Sequence, residues 1–297
     1  AGVEIAIEYD IPEDVWYFRE NGCPTMPFAV LLEAALQPCG WLASYVGSAT
    51  TEEQDLFFRN LDGKGTLHKE LTPGMGTLLT QVKITNISKS AGMIIQSFEV
   101  ECTVDGELIY DLNTVFGFFP HEALASQVGL PVSDELRAFR EGDNDTFIDL
   151  RPNPAPWCTD APRLPTPYLR MVDRITGVWP EGGEAGLGRY RAEKDVVPEE
   201  WFFKAHFYQD PVQPGSLGIE AMIQVLQFAM QHRGMAEGIE NPRFEPLMTG
   251  HEMSWKYRGL VRMHNEVIGT TLELTAVLAR ALFANCHFFT TTVKIAF

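Results

Sequence analysis

An internal repeat constrains this 297-residue chain more than any other feature of its sequence. Residues 24–37 (PTMPFAVLLEAALQ) resemble residues 211–224 (PVQPGSLGIEAMIQ), and each residue lies 187 positions before its counterpart. The two segments share both prolines, a glutamate, an alanine and a glutamine. Upstream, residues 9–18 resemble residues 194–203, and both lead from a charged strand into an aromatic cluster. We therefore expect two copies of one structural unit.

Each copy follows the same predicted plan. A short strand and a proline-flanked loop precede one long apolar helix, expected near 27–46 in the first copy and 215–233 in the second. Because these helices are apolar nearly all round, we expect a sheet to wrap each of them. An additional opening strand is expected over 167–178. Period-two alternation of Val, Ile, Thr and Phe predicts the remaining strands near residues 76–87, 91–103, 107–119, 253–261, 266–278 and 286–297.

A proline-rich stretch separates the two copies. It begins with a polar, helix-like piece near 132–141 and continues with five prolines between 152 and 165, which is typical of an extended, semi-rigid connection. We therefore predict a first unit over 1–120, a connection over 121–166 and a second unit over 167–297. Since the first unit lacks a counterpart of the second unit's opening strand, we expect the chain to be part of a longer polypeptide.

Composition limits the partners of the chain. Hydrophobic residues make up 45% of it, enough for a substantial core, whereas 23 basic and 40 acidic residues give a net charge of −17. Such an acidic chain lacks the positive surface of a protein that binds nucleic acid or anionic membranes. Residues 26–50 are nearly uncharged, but Glu33 and Pro38 fall in their middle, which favours a buried helix over a membrane span.

The cysteines and the start of the chain indicate its compartment. Five widely spaced cysteines without a CxxC motif suggest neither a disulfide framework nor a zinc site. Residues 1–10 alternate like a strand and do not resemble a signal peptide. We therefore expect a reducing, cytoplasmic location.

One histidine is the strongest candidate for chemistry. The second long helix is preceded by His206-Phe-Tyr-Gln-Asp-Pro-Val-Gln-Pro-Gly215, whereas the matching loop of the first copy is two residues shorter and has no histidine. Both copies keep a helical acid, as Glu33 and Glu220. A lone histidine in an aromatic stretch is often structural, but a neutral imidazole is also a suitable base near pH 7.

The string HFYQDPVQPGSLGIE at residues 206–220 resembles the signature of the hotdog-fold 3-hydroxyacyl-carrier-protein dehydratases of bacterial fatty acid synthesis. It departs from that signature at Gln213, where the family usually has methionine. MVDRIT at 171–176 resembles the strand that precedes the motif. Residues 26–41 look more specifically like the dehydratase regions of bacterial polyunsaturated fatty acid synthases. The resemblance implies an α+β double hotdog, in which each unit is a long central helix wrapped by an antiparallel sheet and the two units form a pseudo-dimer.

In this family the active site is shared between two hotdogs, one supplying the histidine and the other the acid. The resemblance therefore implies His206 and Glu33 as the catalytic pair, with Glu220 as a vestigial or alternative acid. Gly215 at the start of the second helix would offer its backbone N–H to the thioester carbonyl. Gln37, one turn after Glu33, would support its carboxyl group or a water.

The implied reaction is dehydration of (3R)-3-hydroxyacyl thioesters to trans-2-enoyl thioesters in fatty acid or polyunsaturated fatty acid synthesis. The histidine would take a proton from C2, and a carboxyl group kept protonated by apolar surroundings would protonate the hydroxyl leaving C3. Three alternatives stay open: a dehydratase that also moves the double bond, a non-catalytic acyl-carrier docking module, and a hotdog thioesterase.

The resemblance also implies the partners. The substrate would be carried on the phosphopantetheine arm of an acyl carrier protein, beside other domains of a multidomain synthase, and no cofactor or metal is implied. Because such carriers are acidic, a local basic patch is needed, for which Lys204, Arg258 and Arg262 are the candidates. Further dimerisation of the chain stays open.

Overall fold

The structure is a computed structural model that describes residues 2–50, 52–90, 92–127, 129–274 and 291–292. The chain divides into two compact units. The first comprises Ala1–Arg19, Pro24–Gly129 and Thr249–Gly259, and the second comprises Glu20–Cys23, Leu130–Met248 and Leu260–Phe297. Compared with the predicted limits, this division places residues 249–259 with the first unit and residues 130–166 with the second.

The first unit is built on one antiparallel sheet. Its elements are β1 (Glu4–Asp10), α1 (Trp16–Glu20), α2 (Phe28–Tyr45), β2 (Leu56–Leu67), β3 (Thr77–Ser90), β4 (Met93–Val104), β5 (Glu107–Pro120), α3 (His121–Ala125) and, from later in the chain, β9 (Glu252–Lys256). The strand order is β1-β3-β4-β5-β2-β9. The strand β9 was expected in the sheet of the second unit, but it pairs with β2, from Asp62 opposite Lys256 to Thr66 opposite Glu252.

The long helix α2 packs against β1, β3 and β4 of this sheet. It begins directly after Pro27, whose φ of −56° suits the start of a helix. On β3, side chains at every second position from Leu78 to Ile84 are buried, as expected for one sheet face lying on a helix. Within the described residues, no helix is both long and apolar enough to cross a membrane.

The second unit repeats this plan. Its elements are α4 (Asp134–Glu141), β6 (Ile148–Asp149), β7 (Arg174–Trp179), β8 (Arg189–Asp195), α5 (Trp201–Ala205), α6 (Gly215–His232), β10 (Val267–Leu274) and β11 (Thr291–Thr292). Among the described residues its sheet is antiparallel, in the order β11-β10-β8-β7-β6. The helix α6 packs against β8 and β10. The predicted α+β plan, a long helix on an antiparallel sheet in each unit, is therefore present.

Two predicted strands differ from the structure. The opening strand expected over 167–178 is shorter, because residues 167–169 form a turn and regular pairing starts only at β7. The strand expected near 286–297 lies largely outside the described residues, and only β11 is seen.

Candidate active site

His206 directly follows α5, and its ring is oriented by the backbone of its own loop. Its backbone N–H bonds the Phe202 carbonyl at 3.0 Å, which closes the helix. Its ring Nδ1 lies 3.0 Å from the carbonyl oxygen of Val212. Because a carbonyl oxygen can only accept a hydrogen bond, Nδ1 carries the proton of the neutral ring and Nε2 keeps its lone pair. The ring is therefore set up to act as a base through Nε2.

The loop from His206 to α6 is anchored at both ends. Val212 is almost fully buried, donates its N–H to the His206 carbonyl at 2.8 Å and forms an antiparallel bridge with Arg262. Gln213, which replaces the family's methionine, donates its backbone N–H to the Val261 carbonyl at 2.9 Å. These bonds fix the carbonyl that orients the His206 ring.

Gly215 is the first residue of α6, directly after Pro214. The first N–H groups of a helix have no partner within the helix, and they form the positive end of its dipole. Without a side chain, Gly215 lets an oxygen atom approach its N–H closely. This end of α6 can therefore stabilise negative charge on an oxygen atom that lies against it.

Glu220 is only 3% exposed and belongs to a buried network on α6. Gln224 donates to its carboxylate at 2.9 Å and to the Leu169 carbonyl at 3.0 Å. The Met171 N–H donates to the amide oxygen of Gln224 at 2.7 Å, which fixes the orientation of that amide. The network ties α6 to the chain segment that precedes β7. Among the described residues no hydrogen bond joins the His206 ring to Glu220.

Asn21 is the counterpart of His206, although the repeat at an offset of 187 does not align the two. Asn21 directly follows α1, as His206 directly follows α5. A signal in the sequence could have found it, because residues 16–21 (WYFREN) match residues 201–206 (WFFKAH) at an offset of 185. The Asn21 amide is 5% exposed and lies 3.3 Å from the Sγ of Cys23. An amide cannot serve as a base near neutral pH.

The proline-rich connection forms hydrogen bonds with the loop at residues 20–23. The loop and the bonded part of the connection both belong to the second unit. The Arg163 guanidinium donates to the Asn21 carbonyl at 2.8 Å, and the Thr166 N–H donates to the Glu20 carbonyl at 2.9 Å. A Cβ atom at Gly22 would lie 2.1 Å from the Arg163 carbonyl oxygen. The loop therefore has a structural role in the second unit.

Glu33 and Gln37 lie in the first unit, on α2. Glu33 is half-buried, and its charge acts on the hydroxyl of Tyr257. The structure does not show the expected support of the Glu33 carboxyl group by Gln37. Its side chain is exposed, and among the described residues no hydrogen bond joins it to Glu33. The two repeat-related glutamines, Gln37 and Gln224, thus have opposite environments.

The three residues expected to form a basic patch have different surroundings. Arg258 bonds the Leu61 carbonyl at 2.7 Å and the Asp62 carboxylate at 3.2 Å, and Arg262 lies 3.8 Å from the carboxylate of Asp210. Lys204 is exposed two residues before His206. Of the three, Lys204 alone has no ion pair with a described residue.

Comparison with known proteins identifies the family. A FabA-like domain model matches residues 2–113 and 164–294. The chain belongs to the FabA-like domain family. This is a family of hotdog-fold enzymes, and the two matched segments correspond to the two repeats, which confirms the predicted double hotdog.

A long relative and two solved structures are also similar. The chain is 30% identical to a polyunsaturated fatty acid synthase subunit of Thraustochytrium sp.. The alignment, 298 positions long with its gaps, covers 92% of this chain and 19% of that protein. It thus spans about a fifth of the relative's length. The putative oleoyl thioesterase of Lactobacillus plantarum matches with a TM-score of 0.52 and 7% identity, over 99% of this chain and 91% of that one. The 12:0-ACP thioesterase of Umbellularia californica matches with a TM-score of 0.48 and 9% identity, over 93% of this chain and 90% of that one. At these identities the likeness concerns the fold alone.

Proposed function

We propose that this FabA-like chain dehydrates (3R)-3-hydroxyacyl thioesters to trans-2-enoyl thioesters in the synthesis of fatty acids, including polyunsaturated ones. The orientation of His206 carries the proposal. Its Nδ1 is held at the Val212 carbonyl, which leaves Nε2 as the basic atom of a loop that ends at the N-terminus of α6. The similarity to a polyunsaturated fatty acid synthase subunit supports the substrate class.

The proposed reaction moves two protons. Nε2 of His206 takes a proton from C2, and the electron pair left on C2 forms the new double bond to C3. The bond between C3 and its oxygen breaks, and the carboxylic acid of Glu33 protonates that oxygen, which leaves as water. The N–H of Gly215 stabilises the charge that develops on the thioester oxygen. Return of a proton from the imidazolium to the carboxylate restores both groups.

The surroundings of the two acids support the choice of Glu33. The carboxylate of Glu220 is buried and accepts a hydrogen bond from Gln224, whose own orientation is fixed by the backbone at Met171. The counterpart of His206 that would serve a second site is Asn21, which cannot take up a proton. We therefore propose one catalytic pair per chain, His206 with Glu33, as in the family pattern where base and acid come from different repeats.

The proposed substrate is carried on the phosphopantetheine arm of an acyl carrier protein. That carrier would be one of several further domains or partners of a longer synthase, since this chain matches a fifth of its relative. An exposed ammonium group at Lys204, close in sequence to the catalytic loop, supports a contact with an acidic carrier. The reaction as proposed needs no resident cofactor.

The test is enoyl formation from a 3-hydroxyacyl thioester, compared between the parent and His206→Ala, Glu33→Gln and Glu220→Gln. We expect the first two variants to lose about 10²–10⁴-fold in rate, while Glu220→Gln stays active. The exposed His264 provides a matched control, because His264→Ala should change nothing. Circular dichroism checks that each variant is folded. A dead Glu220→Gln beside an active Glu33→Gln would place the acid in the second unit.

Product analysis separates the alternatives. Free acid without enoyl product would indicate a thioesterase. A 3-enoyl product formed after the 2-enoyl product would indicate an added isomerase activity. If the folded parent gives none of these products with carrier-bound substrate, the chain is a docking module and the proposal is wrong.

A further inference from the structure

Two tyrosine hydroxyl groups are buried in the first unit without a hydrogen-bond partner among the described residues. They belong to Tyr110 on β5 and to Tyr257, which directly follows β9. A buried hydroxyl has lost its bonds to water, and nearly all such groups in folded proteins are paired. An unpaired one is therefore available to a partner that the described residues do not supply, such as a ligand or a water.

The backbone of Tyr257 is held rigidly at an irregularity of β2. The pairing of β2 with β5 shifts register between Asn60 and Asp62, so that Leu61 is left out of the ladder. The carbonyl of Leu61 accepts the Tyr257 N–H at 2.7 Å and the Arg258 guanidinium at 2.7 Å. The backbone position of Tyr257 is therefore set by the sheet.

Tyr257 and Glu33 belong to the same unit, and the charge of Glu33 acts on the Tyr257 hydroxyl. Burial raises the pKa of Tyr257 well above its ordinary value, and the charge of Glu33 and the neighbouring Tyr110 raise it further. The hydroxyl thus keeps its proton at any physiological pH and can donate a hydrogen bond. The Tyr110 ring meets the ring of Phe28, at the start of α2, edge to face at 5.7 Å. The first unit thus holds a buried hydrogen-bond donor without a partner among the described residues, and the charge of Glu33 reaches it.

We infer that the Tyr257 hydroxyl binds the 3-hydroxyl group of the substrate beside Glu33, which makes Tyr257 a further catalytic residue. This inference rests on the proposed function. Tyr257 donates a hydrogen bond to the oxygen on C3 and keeps its proton, while Glu33 supplies the proton that turns this oxygen into water. Negative charge builds on the oxygen as its bond to C3 breaks, so the hydrogen bond strengthens in the transition state.

The test uses binding, in a His206→Ala background that prevents turnover. Calorimetry compares a 3-hydroxyacyl thioester with the saturated acyl thioester of the same length. We expect Tyr257→Phe to weaken binding of the hydroxylated ligand about 3- to 10-fold and to leave the saturated ligand unchanged. Tyr110→Phe is the matched control and should leave both affinities unchanged. In the active protein, Tyr257→Phe should lower kcat about 10-fold or more and change KM less.

A purely structural role would give a different result. Because a buried hydroxyl without a partner among the described residues costs free energy, Tyr257→Phe should unfold at the same urea concentration as the parent or at a higher one. The inference is wrong if the binding preference for the hydroxylated ligand survives in Tyr257→Phe, or if the protein with Tyr257 intact shows no such preference. A parent that forms no enoyl product refutes the proposed function instead, and the binding preference then still decides the role of Tyr257.

Discussion

Gln224 should stabilise the second unit far more than its repeat counterpart Gln37 stabilises the first. Gln224 is 1% exposed and makes three hydrogen bonds, to the Leu169 carbonyl, the Met171 N–H and the Glu220 carboxylate. Replacement by methionine keeps a side chain of similar volume and removes all three bonds. The same replacement at Gln37 changes an exposed side chain.

The magnitude follows from the groups that lose their partner. The carbonyl of Leu169 and the N–H of Met171 belong to buried residues, and an unpaired buried group costs about 1–3 kcal/mol. The carboxylate of Glu220 loses a bond worth about 1.5–3 kcal/mol. Allowing for local relaxation, we expect Gln224→Met to lower the free energy of unfolding by about 3–5 kcal/mol, out of the roughly 5–15 kcal/mol typical of a domain. Gln37→Met should stay within about 0.5 kcal/mol.

Urea unfolding, followed by tryptophan fluorescence and circular dichroism, measures both variants. Since two units can unfold separately, the transition of the second unit is the one that should move. A third variant, Glu220→Gln combined with Gln224→Met, should lose less than the sum of the two single variants, because both single changes disrupt the same hydrogen bond. Equal midpoints for Gln37→Met and Gln224→Met would refute the network as a source of stability.

Three further predictions concern single positions. A Cβ atom at Gly63 would lie 2.3 Å from the Trp255 ring, so Gly63→Ala should lower the free energy of unfolding by about 1–3 kcal/mol. A Cβ atom at Gly269 would have no atom of the described residues within 4 Å, so Gly269→Ala should leave the urea midpoint unchanged. Burial raises the pKa of Cys102 to about 11, so iodoacetamide at about pH 8 should label this thiol only when urea unfolds the chain. Peptide mass mapping would detect the label, and rapid labelling of the folded chain would contradict the prediction. Partial burial of the His232 ring against Trp157, Tyr190 and Phe228 lowers its pKa. The folded chain therefore binds this proton less readily and loses stability as the pH falls below about 6.5. His232→Gln should flatten this pH dependence of the urea midpoint, and an unchanged slope would contradict the prediction.

The long helices could be predicted from sequence because local signals define them. A proline starts each apolar run, and α2 lies within one or two residues of its expected limits of 27–46. The strand β2 has no such signal. Its sequence LFFRNLDGKGTL contains two glycines, and the register shift at Leu61 interrupts its alternation. Gly63 leaves space for the ring of Trp255, a residue 192 positions away in the chain, and no local pattern encodes that contact.

The same distinction applies to the candidate site. His206 and Gly215 follow from the spacing of one continuous string, whose hydrogen bonds are mostly local. The role proposed for Tyr257 could not be predicted, because it is argued from a buried hydroxyl on which the charge of Glu33 acts, and the two residues are far apart in sequence. Gln37 and Gln224 occupy the same position of the repeat, so sequence alone assigns them the same role. Their environments differ because a chain segment before β7 bonds only Gln224.

This asymmetry explains how Glu220 can be kept although the first repeat has Asn21 at the position of His206. A buried carboxylate needs a hydrogen-bond donor, and a buried amide such as that of Gln224 needs acceptors for both of its N–H groups. Glu220 and the Leu169 carbonyl are those acceptors, so removing the carboxylate would leave the amide incompletely paired. Glu220 can therefore be retained for stability alone. In the proposed reaction, the catalytic acid must instead have a carboxyl group that substrate can reach, and half-buried Glu33 meets this requirement better than Glu220.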